Sequence, residues 1–542
     1  MQLSFRRWKV PYADFQKHIS NLEEKGLLVR IKRAINKDTE LHPLFRWQFR
    51  GGIPESERKA FLFENVVDSR GRRYPMPVVI GALGASPRIY EIAMGYPLDE
   101  IPQRWQDAIS HPIDPIIVED GPVHEVVLTG SALDQEGGGL LQLPIPISTP
   151  GFDNAPYTTC SHFFTKDPET GIRNQGNYRG QLKGQRVVGL NAGVHQDVYK
   201  HWEKCKLMGK HLPAALVIGA PPIVSHCTVL KAAYGVDELG IASALAGEPI
   251  KLVRCKTVDI EVPMDAEIVI EGLLRTDFLE PEGPFGESHG YIHPRTLSPV
   301  MEVTAITMKK RPVYATFMSQ MTPNESSASR KTGFEAYYLN HLRNDLGLKS
   351  VLKVAMHETL TNLRKLIIVQ MRKPAENEVW RALNGVANFQ HGVGKFIIAV
   401  DEDIDPRNMD AVWWAICYRS KPHKDVLILP GRVKGHSPPF EEENQIATAK
   451  EVFYRPADDS ALLINAILKE PFPPISLPKR EYMERAKEIW EELGFPELRP
   501  ENPWFGYSLG QWDDEWEEEA RLAVQGRCLE TGEKLAKRRV KS

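Results

Sequence analysis

The chain has 542 residues, enough for two or three hydrophobic cores rather than one. Its composition, 42% hydrophobic and 26% charged, is that of a soluble globular protein. Lys and Arg (68) nearly balance Asp and Glu (71) without forming a basic stripe, so no nucleic-acid partner is expected. Cys160, Cys205, Cys227, Cys255, Cys417 and Cys528 stand far apart with no C-x-x-C pair, which argues against a disulfide framework and structural zinc. MQLSFRRWKVPYADF lacks the apolar run of a secretory signal, and no apolar stretch reaches the about 18 residues of a membrane span. The expected location is the cytoplasm, with no membrane contact.

Residues 13–34 begin as an amphipathic helix, stop at Gly26 and continue as the alternating strand LLVRIKR. PMPVVIGALGASPRIYEIAMG, from Pro75, reads as a buried strand, a turn of small residues and a helix. These pieces predict an N-terminal α/β region over 1–118. Over 119–325, short β-rich runs dominate, among them HEVVLTG, RVVGLNAG, AALVIGAPPIVS, AEIVIEGLL and MEVTAITM. Many short strands with few helices predict a barrel or sandwich. SSASRKTGFEAYYLNHLRNDL reads as a connecting helix within 326–348, and the alternating units after it predict an α/β domain over 349–477. The remainder, 478–542, is a charged helical tail whose Trp and Leu stripe needs a partner surface. The fold class is mixed α/β (α+β). EGGGLL and GALGAS lack the G-x-G-x-x-G pattern and read as turns rather than phosphate loops.

The most informative stretch is Glu282 to Tyr291, EGPFGESHGY. Its Pro and glycines force a tight turn, so Glu282 and Glu287 can project into one cavity. Two acids in a shared dry site have their pKa values pushed apart, leaving one as a proton donor near neutrality. Taken alone, the turn reads equally as solvated acids. In NQGNYR, Asn174 carries an oxygen suited to a hard metal ion and Arg179 a fork suited to a carboxylate, the alternative being a hairpin with a basic flank. His195 follows in NAGVHQDVYKHW, with His201 beyond it. Glu238, in YGVDELGIASAL, precedes a short helix, where an acid is also simply favourable; Asp237 can fill the same role.

Together these stretches resemble the UbiD family of decarboxylases, from the N-terminal helix–GLLVRI segment past KFIIAVDEDID, with EGPFGE followed by HGY as the most specific element. The resemblance implies a central split β-barrel that binds prenylated FMN and a C-terminal α/β oligomerisation domain. It implies a Glu–Arg–Glu network of Glu282, Arg179 and Glu287 over the flavin. It also implies a manganese or magnesium ion held by Asn174, His195, Glu238 and the flavin phosphate, with Lys395 on that phosphate and a potassium ion nearby. Mixed O and N ligands suit such ions better than they suit thiolate-rich zinc sites. Because the spacing from Arg179 to His195 departs from the family's, His201 stays an alternative ligand.

The implied activity is that of a carboxy-lyase: reversible, non-oxidative release of CO2 from an aromatic or conjugated carboxylic acid. Prenylated FMN is then the electron sink, Glu282 delivers the proton, Arg179 positions the carboxylate and Glu287 holds Arg179. Also implied are a UbiX-type flavin prenyltransferase as cofactor supplier and a homo-oligomer, dimer or hexamer. Arg432, Lys434 and His436, in LPGRVKGHSPP, suit a second negative group on the substrate, including CoA thioester phosphates. Two other readings are an FMN-dependent split-barrel oxidoreductase and an inactive scaffold subunit of a multi-component carboxylase. The first leaves the Glu–Arg–Glu set without a role, and the intact set speaks against the second.

Overall fold

Asp14 accepts a hydrogen bond from the Lys17 N–H at 2.7 Å and starts the helix Phe15–Glu24, which buries Phe15, Ile19 and Leu22 along one face. The computed structural model describes residues 14–193, 196–230, 234–390, 392–432 and 459–538. After the turn at Gly26, the strand Leu28–Ile31 pairs in parallel with Ala60–Phe63. Val78–Ile80 extends this sheet, and Tyr314–Thr316, which follows the central sheet in the chain, closes its far edge. The N-terminal and central regions are thereby stitched together rather than joined by a linker.

The centre of the molecule is a 9-stranded sheet. Leu212–Ile218, Ile268–Leu274 and Val300–Met308 form its antiparallel middle. Side chains of the first of these alternate between two cores. Leu212, Ala214, Leu216 and Ile218 pack with Phe15 and Ile19, whereas Ala215 and Val217 pack with Trp105, Ile223 and Leu239. Both faces are covered, which is why AALVIG is apolar throughout instead of alternating. A register shift between Glu271 and Gly272 adds twist to the middle pair. A Cβ at Gly272 would sit 2.3 Å from the Glu302 carbonyl oxygen, so only glycine lets the strands meet there.

The strand order shows how the sheet closes. Tyr157–Thr158 and Gly180–Gly184 lie at one end, and Ser161–Lys166 and Arg173–Asn177 at the other. Only Tyr178 and Arg179 separate Asn177 from Gly180, and two or three extended residues reach no further than about 10 Å. The two ends must therefore meet, curling the sheet into a split barrel with an open seam. Where the ends meet, Thr158 Oγ1 donates to Ser161 Oγ at 2.9 Å, and Asn177 Nδ2 donates to the Thr159 carbonyl at 3.1 Å. Side-chain bonds replace a regular ladder there.

The helix Glu325–Asn340 leads to a 5-stranded sheet in which Leu366–Met371, Phe396–Asp401 and Asp459–Ala466 run parallel. Helix Glu376–Phe389 covers one face against Ile367 and Ile397, and helix Met409–Arg419 covers the other against Ile368 and Ile398. The alternation expected of a layered α/β unit is present. The tail helices Arg480–Glu492, Asp514–Val524 and Cys528–Ala536 bury no residue within the single chain. Among the described residues no helix is long and apolar enough to cross a membrane.

Candidate active site

Arg179 occupies the barrel seam, and its position there follows from chain order. The NQGNYR stretch is not a hairpin: its two flanking strands belong to opposite ends of the sheet, and Arg179 lies in the crossing between them. The 282–287 turn meets it from the other side. Gly283 has φ +94°, a conformation that strains any other residue, and this lets Glu282 and Glu287 both reach the guanidinium.

Glu282 is fully buried. Its Oε1 accepts from Arg179 Nε at 2.8 Å and its Oε2 from Arg179 Nη2 at 2.7 Å, a fork-to-carboxylate pair. Asn191 Nδ2 adds a third hydrogen bond to Oε2 at 2.9 Å. Glu287, partly exposed, takes Arg179 Nη1. The guanidinium carbon lies 4.7 Å from the Phe285 ring centre, and that ring lies 4.5 Å from Tyr157. Burial disfavours the charged guanidinium, yet the Glu282 and Glu287 carboxylates overcome it and raise Arg179 further. Burial holds His289 and His293 below the ordinary imidazole value, with Arg179 adding to the effect in both.

Three members of this cluster were missed by sequence reasoning: Asn191, Tyr157 and Asp153. Asp153 accepts from the Gly286 N–H at 2.9 Å and the Thr149 N–H at 2.7 Å, bracing the Glu282–Glu287 turn from behind. Nothing in GFDNAPY separates this acid from an ordinary turn residue, because its partner lies on a distant loop. Burial pushes its carboxyl from 3.8 up to about 6, against the pull of those amides and of Arg179. A raised carboxyl favours the protonated fold, so its stabilising contribution is lost as pH rises through about 6. Relative to Asp153→Asn, the wild-type melting temperature should fall between about pH 4 and about pH 6. A difference that rises over this range would contradict the assignment.

Asn174 and Glu238 come together at the other end of the seam. Asn174 lies on the strand Arg173–Asn177, and Glu238 opens the helix Glu238–Ala246. The ion pair of Arg173 Nε with Asp237 at 2.9 Å joins the residues just before each of them. Asp237 is thereby engaged, since it also caps the helix through the Leu239 N–H at 3.0 Å. Glu238 accepts from the Gln175 N–H at 3.3 Å, is buried, and pairs with no cation among the described residues. Burial pushes its carboxyl well above the usual range. Asn174 Nδ2 and both amide atoms of Gln175 are buried without a partner among the described residues. An unpaired buried carboxylate beside unsatisfied amides fits a hard cation.

His195 lies outside the described residues. His201, on the helix Asp197–Leu207, is buried with its Nδ1 3.0 Å from Thr165 Oγ1, and Thr165 faces Asn174 across the ladder. Burial lowers its imidazole to about 4.

Lys395 precedes the strand Phe396–Asp401 and pairs with Asp459 at 2.8 Å. Arg432 does not serve as an open cation. Its Nη1 donates to Asn388 Oδ1 at 3.2 Å, and its Nη2 donates to the carbonyls of Ala387 and Val393, so it finishes the helix Glu376–Phe389. Lys434 and His436 lie outside the described residues.

Fold and site define a barrel enzyme built around a buried arginine–carboxylate cluster. Three family models match in succession, described as the N-terminal, Rift-related and C-terminal domains of 3-octaprenyl-4-hydroxybenzoate carboxy-lyase, over residues 19–109, 116–321 and 332–453. The chain belongs to the UbiD family of carboxy-lyases. It is 30% identical to an uncharacterised protein of Aquifex aeolicus, over 78% of this chain and 87% of that one. An uncharacterised protein of Synechocystis is 29% identical, over 77% and 84%. Among solved structures, the UbiD-class enzyme HmfF of Pelotomaculum thermopropionicum, in a dimeric form in complex with prFMN, superposes with TM-score 0.74. It is 29% identical, over 88% of this chain and 99% of that one. Vanillic acid decarboxylase of Sedimentibacter hydroxybenzoicus shares the fold, with TM-score 0.75 and 24% identity over 89% and 99%.

Proposed function

We propose that this protein is a reversible, non-oxidative decarboxylase of an aromatic or conjugated carboxylic acid, dependent on prenylated FMN and a divalent metal. The observation that supports it most is the placement of Arg179 between Glu282 and Glu287, one acid fully buried and the other partly exposed. Prenylated FMN supplies the electron sink that loss of CO2 from an sp2 carbon requires.

The chain's own residues do the rest. Arg179 receives the substrate carboxylate with the fork that otherwise holds Glu282. As the fork turns to substrate, Glu282 stands beside the reacting carbon in a dry site, placed to protonate the carbon that loses CO2. Glu287 keeps Arg179 oriented throughout. Asn174 and Glu238, with His195 completing the set, would hold manganese or magnesium against the flavin phosphate, and Lys395 would reach the same phosphate. A potassium ion nearby, a UbiX-type prenyltransferase as supplier and pairing through the C-terminal domain belong to the same reading. The exposed Trp490, Leu493 and Trp516 of the tail helices suit such a subunit contact.

The test is to co-express the chain with a flavin prenyltransferase, measure cofactor mass and metal content, and screen aromatic acids for CO2 release. Ordinary FMN together with redox activity on a nicotinamide would overturn the proposal. Glu238→Ala is expected to lose metal and flavin together, read by elemental analysis and flavin absorbance. Full flavin occupancy without metal would break the proposed link.

A further inference from the structure

Asn191 leaves the barrel sheet between the two segments that carry Arg179 and Glu282. It follows the strand Val187–Leu190, in which Leu190 stands opposite Gly180 on one side and Gly189 stands opposite Val300 on the other. The first neighbour brings Arg179, which directly precedes Gly180. The second brings Thr296–Ser298, the strand that pairs with Glu280–Glu282. At this junction the Leu190 N–H donates to the Pro299 carbonyl at 2.9 Å, and the Asn191 N–H donates to the Arg179 carbonyl at 3.3 Å. The backbone is held on both flanks, and the half-buried Asn191 side chain reaches Glu282 Oε2 at 2.9 Å. An ionised carboxylate can only accept, so the amide presents its NH2 to that oxygen.

The side-chain donors on Glu282 differ in what happens to them during turnover. Nε and Nη2 of Arg179 belong to the fork that receives the substrate carboxylate. Once the fork has turned, Asn191 Nδ2 is the one side-chain donor left on Glu282 among the described residues. Without it the carboxyl is free to rotate about its methylene stem or to follow the guanidinium. A donor on Oε2 also makes the two carboxyl oxygens unequal. A carbonyl oxygen accepts better than a hydroxyl oxygen, so the acid form keeps Oε2 as its carbonyl. The proton then sits on Oε1, the oxygen that Arg179 Nε vacates.

We propose that Asn191 is a positioning residue for the reaction: it holds Glu282 in place while Arg179 is engaged with substrate and fixes Oε1 as the oxygen that delivers the proton. The inference rests on the decarboxylase reading. In the resting enzyme the fork already holds Glu282, so the Asn191 side chain matters chiefly after substrate has bound. The test uses the flavin-loaded full chain and an aromatic acid that the wild type decarboxylates. Asn191→Leu removes the donor at nearly constant size. Its kcat should fall about ten- to hundredfold, the worth of one hydrogen bond to a charged group, with KM within about twofold. Proton exchange at the product carbon in deuterated water should fall by the same factor. Asn191→Gln, which keeps the amide on a longer stem, should recover part of the rate. In the Glu282→Gln background Asn191→Leu should cost nothing further, because its effect runs through the Glu282 acid.

An unchanged kcat in Asn191→Leu overturns the proposal, as does an equal loss in both backgrounds or a raised KM at unchanged kcat. Loss of flavin from the variants would assign Asn191 to the cofactor and also overturn it. If Asn191→Leu does not melt cooperatively, Asn191→Ser, polar and too short to reach Oε2, carries the same expectations. A wild type that releases no CO2 from any acid removes the decarboxylase reading and this role with it. An active wild type matched by Asn191→Leu removes the role of Asn191 alone.

Discussion

Glu282→Gln keeps its cofactor and binds substrate, but turns over roughly two to four orders of magnitude more slowly. The amide matches the carboxylate in shape and its oxygen still accepts one Arg179 N–H, while its NH2 gives up the second acceptor, so the pair is weakened rather than removed; it cannot deliver a proton. The decisive readout is exchange, in deuterated water, at the product carbon that carried the carboxylate. Wild type should exchange that proton and Glu282→Gln should not. Near-normal exchange and CO2 release in the variant would move the donor role to Glu287 or a water.

Arg179→Ala should abolish turnover and cost about 3–5 kcal/mol of stability. Glu282 has no solvent exposure, and without the guanidinium Asn191 is the one side-chain donor left to it among the described residues. A buried carboxylate so stripped must take up a proton or distort the turn. Adding Glu282→Gln to Arg179→Ala removes the uncompensated charge, so the double variant should be more stable than Arg179→Ala alone. Urea unfolding of the four proteins measures the coupling. If Arg179→Ala matches wild type in stability, the pair does not hold the seam as described.

Much of the architecture was readable because periodicity is local. The helix and strand of residues 13–34, the buried AALVIG strand and the alternating units after 349 each announce their type within a few residues. The acids of EGPFGE were readable as a pair because proline and glycine oblige the chain to turn between them. Flanking residues hid the rest. NQGNYRGQLKGQR looks like a hairpin, since nothing local shows that its halves go to opposite ends of one sheet. Arg432 looked like an open cation because its partners are carbonyls of another helix, which carry no sequence signal.

By itself the sequence determined the mixed α/β class, the short-strand character of the middle of the chain and the residue types gathered in the EGPFGE and NQGNYR stretches. All of these rest on patterns within reach of one turn or strand. Only the tertiary structure decided that Arg179 stands at a barrel seam, gripped by Glu282 with Asn191 behind it and Asp153 bracing the turn. These contacts join residues 91 to 133 positions apart in the chain. They exist because sheet closure and strand crossing bring distant segments together, and that closure is a property of the whole sheet rather than of any segment in it.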